Sequence, residues 1–376
     1  MVENPKVSVV VPTFNVEDYL EEALDSLKAQ TLQEIEFVCV NDGATDSSPE
    51  ILHRYAERDE RFVVLDGPNG GYGKAMNRGL DAARGEYIGI LEPDDYVPAN
   101  MFEDLYVVST ENDLDFVKAD FFRFKHDGTG RIDLSYHMLD RGNEYYNILL
   151  NPSETPFLTK LEMNTWTGIY KQSFLNQYHI RHNETPGASF QDNGFFWQTS
   201  IYAKRAMLIN KPMYTNRRDN PNSSVKNKEK VYCINIEYDY IKDILLREEN
   251  KEIWDRFKYY FSLMRFNNYL GTLRRIDESF HKEYIERISK EMKRLTELDE
   301  VDTHIMAPYT AKQLEVLINK PKVFYDNKMW MTKNERRLVK VINEKEREID
   351  RLKKSKTYRI GSVFTALPRK VKKIGR

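Results

Sequence analysis

The stretch GEYIGILEPDD, residues 85–95, passes from an apolar run directly into a crowd of acids. Tyr87-Ile88-Gly89-Ile90 offers water no charged or strongly polar group, so it reads as a short strand covered on both faces. Glu92, Asp94 and Asp95 then fall within four residues. Carboxylates this close repel one another, and they belong either to a fully solvated turn or around a cation. A hard divalent ion, Mn²⁺ or Mg²⁺, would suit their oxygens.

Three similar runs precede this one: Val7–Val11, Ile35–Val40 and Phe62–Leu65. Helical patterns separate them. Leu20, Ala23, Leu24 and Leu27 recur at i, i+3, i+4 and i+7. Ser48-Pro49 reads as an N-cap followed by proline at the first helical position. Gly73 to Ala83 is a third helix. Strand–helix alternation implies parallel crossovers and an α/β doubly wound, mainly parallel sheet. Ligands bind such sheets beyond the carboxyl ends of the strands. Asn15, Asp42 and the Glu92–Asp95 cluster all follow strand ends.

The bulk composition is that of a globular chain. Its 376 residues, 40% apolar and 12% aromatic, allow more than one domain. Lys and Arg (57) nearly cancel Asp and Glu (59), which argues against a general nucleic-acid binder. Cys39 and Cys233 lie far apart, with no disulfide framework, and Cys39 reads as a buried free thiol. The seven histidines show no zinc-ligand spacing. The N-terminus does not read as a signal peptide, and no run approaches the roughly 20 apolar residues of a membrane span. The expectation is a cytoplasmic protein, peripheral on the inner face of the cell membrane.

Four segments in order carry a family likeness: VVVPTFN (9–15), VNDGATDSS (40–48), NGGYGKAMNRGL (69–80) and GEYIGILEPDD (85–95). Together they resemble the family 2 glycosyltransferases, inverting sugar transferases of GT-A fold, over about the first 225 residues. The resemblance implies a UDP-sugar donor, with Pro12, Thr13, Asn15 and Asp42 at the nucleotide. From the residues alone, Asn15 and Asp42 read sooner as a turn and a helix cap. The glycine-rich segment implies donor contacts from Gly73, Lys74, Asn77 and Arg78, with Met76 where relatives carry a basic residue. In the acidic turn Glu92 replaces the usual first Asp. Asp94 is the expected direct metal ligand, Asp95 a second, and Glu92 a donor-side support.

By the same resemblance, ETPGASFQDNGFFWQT (184–199) would supply the base that inverting transfer needs. Relatives carry Glu-Asp at this spacing, so Asp192 is the expected general base, with Gln191 beside it on the acceptor side. The alternative is that Asp192 caps an aromatic helix over 193–199. In YTNRRDNPNSSVKN (214–227), the likeness points to Arg217, Arg218 and Ser223 over the donor diphosphate. Asp219 or Asn220 stands where many relatives place a metal-binding His. Trp166, in MNTWTGIYKQSFL (163–175), reads as an acceptor-stacking ring or a core residue.

The expected organisation is a GT-A domain over 1–228, a helical C-terminal domain over 229–332, an amphipathic helix over 333–356 and a basic tail over 357–376. Leu338, Ile342, Ile349 and Leu352 give that helix a narrow stripe, compatible with a short homodimeric coiled coil. Residues 353–376 hold nine Lys or Arg and no acid, interleaved with apolar anchors, which suits an anionic membrane surface and a lipid-linked glycan acceptor. Two other classes stay open. One is a catalytically inactive sugar-nucleotide-binding or scaffold protein, given Met76, Glu92 and Gln191. The other is a nucleotidyltransferase, which would carry its glycine-rich loop after the first strand.

Overall fold

The computed structural model describes residues 2–331 except 127, 130, 163, 189 and 222–229, together with positions 337, 341, 345 and 351. The expected helix over 333–356, the tail over 357–376 and Ser223 lie outside the described residues, apart from those four positions. The amino-terminal half alternates β1 (Val7–Thr13), α1 (Glu17–Lys28), β2 (Ile35–Asp42), α2 (Ser48–Arg58), β3 (Phe62–Gly67), α3 (Tyr72–Ala82) and β4 (Tyr87–Ile90). The four strands pair in parallel in the order β3-β2-β1-β4. Every residue of β1, β2 and β4 is buried, the condition that lets continuous apolar runs persist. Helix α1 buries Leu20, Ala23, Leu24 and Leu27, each burial contributing on the order of 1.5–3 kcal/mol. Ser48 is not the cap of α2. It is the first helical residue, preceded by Ser47, and its Oγ accepts the Val16 N–H at 3.1 Å.

The sheet continues through α4 (Met101–Glu111), β5 (Phe116–His126), β6 (Ile132–His137), β7 (Gly168–Lys171), α5 (Gln172–Gln177), α6 (Gln191–Tyr202) and β8 (Ala206–Arg217). Strand β7 enters antiparallel between β4 and β5, and β6 pairs antiparallel with β5 at the edge. Strand β8 runs parallel to β5, with a register shift near Asp120. The result is a mixed, mainly parallel eight-stranded sheet flanked by helices.

Helices α7 (Cys233–Leu245), α8 (Lys251–Arg275), α9 (His281–Glu297), α10 (Pro308–Asn319) and α11 (Pro321–Asp326) form the carboxyl-terminal region around a second apolar core. Helix α6 belongs to both cores. Phe195 packs edge-on against Tyr170 in the sheet core, while Trp197 packs against Phe261 of α8 at 5.4 Å. The helix that carries Asp192 is thus held from two sides. Cys39 is a buried free thiol, its pKa pushed up to about 12 by burial. Among the described residues no helix is long and apolar enough to cross a membrane.

Candidate active site

The loops at the carboxyl ends of β1, β2 and β3 are bonded to one another. Asn15 adopts a left-handed backbone, φ 47°, and its Oδ1 accepts the Thr45 N–H at 2.8 Å. This ties the loop after β1 to the loop after β2. Asp42 closes β2 and accepts from the Gly70 and Gly71 amides at 2.8 and 2.9 Å, one through each carboxylate oxygen. It shapes the glycine-rich loop, and its unused lone pairs are what remain for a ligand. Gly71 needs its freedom here, with φ 87° immediately before α3. Pro12 and Thr13 are buried beneath this trough.

The glycine-rich segment does not expose the side chains expected at the donor. Asn77 is buried, donating to the His182 carbonyl at 2.9 Å and to Glu184 at 3.0 Å, while its Oδ1 accepts from His182 N. Arg78 donates to the carbonyls of Leu65 and Asp66 and so fixes the end of β3. Met76 is fully buried. Lys74 is exposed, with its aliphatic stem against Gly70. Gly73 is a packing glycine: a Cβ there would lie 2.0 Å from the Asn183 carbonyl oxygen. Gly73→Ala should therefore push α3 off the 182–184 segment and cost about 2 kcal/mol or more, read as a lower melting temperature. Unchanged melting would show that the contact yields.

The acidic turn is docked on β8. The Tyr214 hydroxyl accepts from the Glu92 amide at 3.0 Å and donates to Asp95 Oδ2 at 2.9 Å. Asn216 Nδ2 donates to Asp95 at 3.0 Å and the Arg217 amide at 2.6 Å. Asp95 is thus buried and saturated by three donors, so it does not present a carboxylate to a metal, contrary to expectation. Burial and the neighbouring Asp94 push its carboxyl pKa up, against the pull of those donors. Asp94 is different. It is half-buried, and Asn220 Nδ2 is its carboxylate's donor, at 2.8 Å. Glu92 accepts from the Tyr72 hydroxyl at 2.7 Å; burial raises its pKa to about 8, with Asp94 and Asp192 adding to the shift.

Asp192 lies in the first turn of α6, after Phe190 in a left-handed conformation, φ 69°. It is inside the helix, not its cap. The Asn193 amide donates to its Oδ1 at 3.0 Å. Burial raises its pKa to about 6, opposed by that amide and by the charge of Lys118. Lys118 is buried, its ammonium donating to the Asn164 carbonyl at 2.7 Å, and burial lowers its pKa to about 7. Asp192 and Glu92 lie within electrostatic reach of each other. Gln191 braces the preceding loop, donating to Thr185 Oγ1 at 2.9 Å and the Gly187 carbonyl at 3.0 Å. It is buried.

Two further side chains differ from expectation. Arg217 is a strut: its guanidinium lies between Tyr19 and Phe124, at 4.7 and 4.5 Å, and donates to the Asp94 carbonyl, Glu22 and Asp219. It is buried and not free to clamp a diphosphate. Asp219 is also held by His126, which leaves Asn220 as the neighbour of Asp94. Arg218 remains exposed. Trp166 is half-buried on Tyr214, with ring centroids 4.4 Å apart, and belongs to the wall of the site. Tyr72, Tyr214 and Lys118 were not singled out from sequence; a lysine inside the apolar run of β5 was the one available signal.

Among the described residues no group of three or more His, Cys, Asp or Glu side chains is placed to cage a metal. Asp94 alone, with Glu92 nearby, fits an ion that shares its coordination with ligand oxygens and water.

The profile of Glycosyl transferase family 2 matches residues 8–206. The Bacillus subtilis glycosyltransferase EpsJ is 35% identical over 221 residues, covering 58% of this chain and 62% of EpsJ. The chain therefore spans about three fifths of that relative's length. A Bacillus spizizenii poly(ribitol-phosphate) beta-glucosyltransferase is 40% identical over 114 residues, 29% of this chain and 18% of that protein. The crystal structure of S. aureus TarS 1–349 with UDP-GlcNAc superimposes with a TM-score of 0.62 at 19% identity, covering 85% of this chain and 91% of TarS. That likeness establishes the fold.

Proposed function

The chain belongs to Glycosyl transferase family 2, and from that membership we propose an inverting sugar transfer from a UDP-linked donor to a hydroxyl of a lipid-linked cell-surface glycan. The observation that carries this reading is the pairing of Asp192 with the acidic turn. A half-buried carboxylate with a pKa near 6 lies within electrostatic reach of Glu92 at the end of β4. UDP-GlcNAc is the ligand in the TarS crystal, and two relatives are named for poly(ribitol-phosphate) and for teichoic acid, the beta-glucosyltransferase above and a Bacillus subtilis minor teichoic acid biosynthesis protein.

In this proposal Asp192 accepts the proton of the acceptor hydroxyl as its oxygen attacks the anomeric carbon. The bond from that carbon to the diphosphate oxygen breaks on the opposite face, and the nucleoside diphosphate leaves. Lys118 keeps part of the Asp192 population ionised by its charge. The trough formed by Asn15, Asp42 and the glycine-rich loop holds the nucleotide. Mn²⁺ or Mg²⁺ bound at Asp94 would offset the negative charge that develops on the leaving diphosphate. The basic tail over 357–376 would hold the enzyme on anionic lipid at the inner membrane face.

The test is release of nucleoside diphosphate from a panel of nucleotide sugars with Mn²⁺, for wild type and Asp94→Ala. The expected result is release from one UDP-sugar, lost in the variant. No release from any donor, together with no thermal shift by UDP and Mn²⁺, would overturn the reading.

A further inference from the structure

A set of cations adjoins the acidic turn, and the mechanism above uses none of them. An aromatic ladder leads there from Asp95. The Tyr214 hydroxyl holds Asp95, the Tyr214 ring carries Trp166, and Trp166 meets Phe121 edge-on at 4.9 Å. The His137 ring stacks on Phe121 at 5.1 Å, and the Arg123 guanidinium lies over the same ring at 5.2 Å. These groups come from β5, β6, β8 and, for Trp166, the loop that leads into β7, the part of the sheet beyond the nucleotide trough of β1–β3.

The charges are unbalanced. Arg123 pairs with Glu162 at 2.8 Å, yet its Nε is buried without a partner. Among the described residues, neither Arg141 nor Arg218 has an ion-pair partner, and both are exposed. His137 lies in the field of all three arginines, and Arg218 in that of Arg123. His137 has its pKa lowered by burial and then by Arg123, Arg141 and Arg218, with Glu162 opposing. Arg218, exposed but partly desolvated by its neighbours, has its own lowered by that desolvation and by Arg123, opposed by Asp95, Asp94 and Glu162. Arg123 and Arg218, both within reach of Glu162, repel one another, and an anion placed between them would relieve that repulsion. Guanidinium groups present paired N–H donors that match the oxygens of phosphate or carboxylate, and aromatic faces hold sugar or polyol carbons.

We propose that this surface is an acceptor subsite for an anionic chain, a polyol or sugar polymer whose oxyanions flank the accepting hydroxyl. The proposal rests on the glycosyltransferase reading and narrows its acceptor. The half-buried Trp166 seats the carbon skeleton beside the acidic turn, on a footing of the buried Tyr214 and Phe121 rings. Arg123, Arg141 and Arg218 take the oxyanions, with the His137 ring beside them. The source of the oxyanion is either a phosphodiester or a uronate carboxylate, which share this chemistry.

The experiment measures binding of three labelled oligomers of equal length to the full chain with UDP and Mn²⁺: a glycerol-phosphate oligomer, an oligogalacturonate and a neutral malto-oligosaccharide. One anionic oligomer should bind about tenfold tighter than the neutral one, and its advantage should shrink between about 0.05 M and about 0.3 M salt as the screening length shortens. Whichever anion wins identifies the source. Arg141→Glu should weaken the anionic oligomer about tenfold, while Arg141→Lys retains most of the affinity. Arg141 makes no fold contact that its replacement would break among the described residues, and an unchanged melting curve checks this. Equal binding of charged and neutral oligomers, no binding of either anion, or indifference to Arg141→Glu would each overturn the inference. A thermal shift by UDP in the same samples separates the two failures. If the shift persists, only the subsite is wrong; if it is absent from the wild type, the transferase reading fails.

Discussion

Asp192→Asn is expected to lower transfer about 10³-fold while nucleotide binding survives, because a general base contributes on the order of 10²–10⁴-fold. The substitution keeps the shape, and Asn Oδ1 can still accept the Asn193 amide that Asp192 accepts at 3.0 Å. What disappears is the capacity to take a proton. The pH profile adds a signature that misfolding would not copy. Burial raises the Asp192 pKa to about 6, and the base works only when ionised. Wild-type rate should therefore fall tenfold per pH unit as pH drops below about 6. The residual rate of the variant should lack that limb. Stability should move the other way. A carboxyl whose folded pKa lies above its usual 3.8 favours the folded state when protonated, so its contribution is lost as pH rises from 3.8 to about 6. Asp192→Asn should then melt slightly above wild type at neutral pH. A variant that retains full activity, or a wild-type profile flat through pH 6, would remove Asp192 from the role.

Sequence made the amino-terminal half legible because both of its signals are local. Strands covered on two faces are written as unbroken apolar runs, and α1 is written as a single stripe. The strand-end positions of Asn15, Asp42, Glu92 and Asp94 followed from that pattern alone. What sequence hid is long-range pairing. Asp94 and Asp95 look alike in the chain, but Tyr214, Asn216 and Arg217 arrive from 119 to 122 residues away and saturate only Asp95. Arg217 has the composition of a phosphate clamp, yet its partner Glu22 is 195 residues distant and its cage is Tyr19 and Phe124. Asn77 and Gly73 read as donor contacts because glycine-rich loops often are. Their partners at 182–184 show that they hold α3 against the segment leading to α6. The sharing of α6 between two cores was not legible, since its aromatic residues face both ways.

Neighbouring aspartates should give opposite phenotypes. Asp95→Ala should lower stability by about 3 kcal/mol, because each buried donor left without an acceptor costs roughly 1–3 kcal/mol. The Tyr214 hydroxyl, the Asn216 amide and the Arg217 N–H would all lose their acceptor, and the turn would lose its seat on β8. For a domain of this size that is a fall in melting temperature of about 6–12 °C. Activity would fall with it, because Asp94 and Glu92 share the turn. Asp94→Ala removes a half-buried carboxylate whose donor is Asn220, so melting should shift by no more than about 2 °C. Transfer should nonetheless fall steeply, and stabilisation by UDP with Mn²⁺ should vanish, if Asp94 is where the cation and diphosphate meet. The informative comparison is thus thermal melting with and without UDP and Mn²⁺ for both variants. Equal melting of Asp95→Ala and wild type would mean that the turn stands without its anchor, and undiminished UDP–Mn²⁺ stabilisation of Asp94→Ala would move the cation elsewhere.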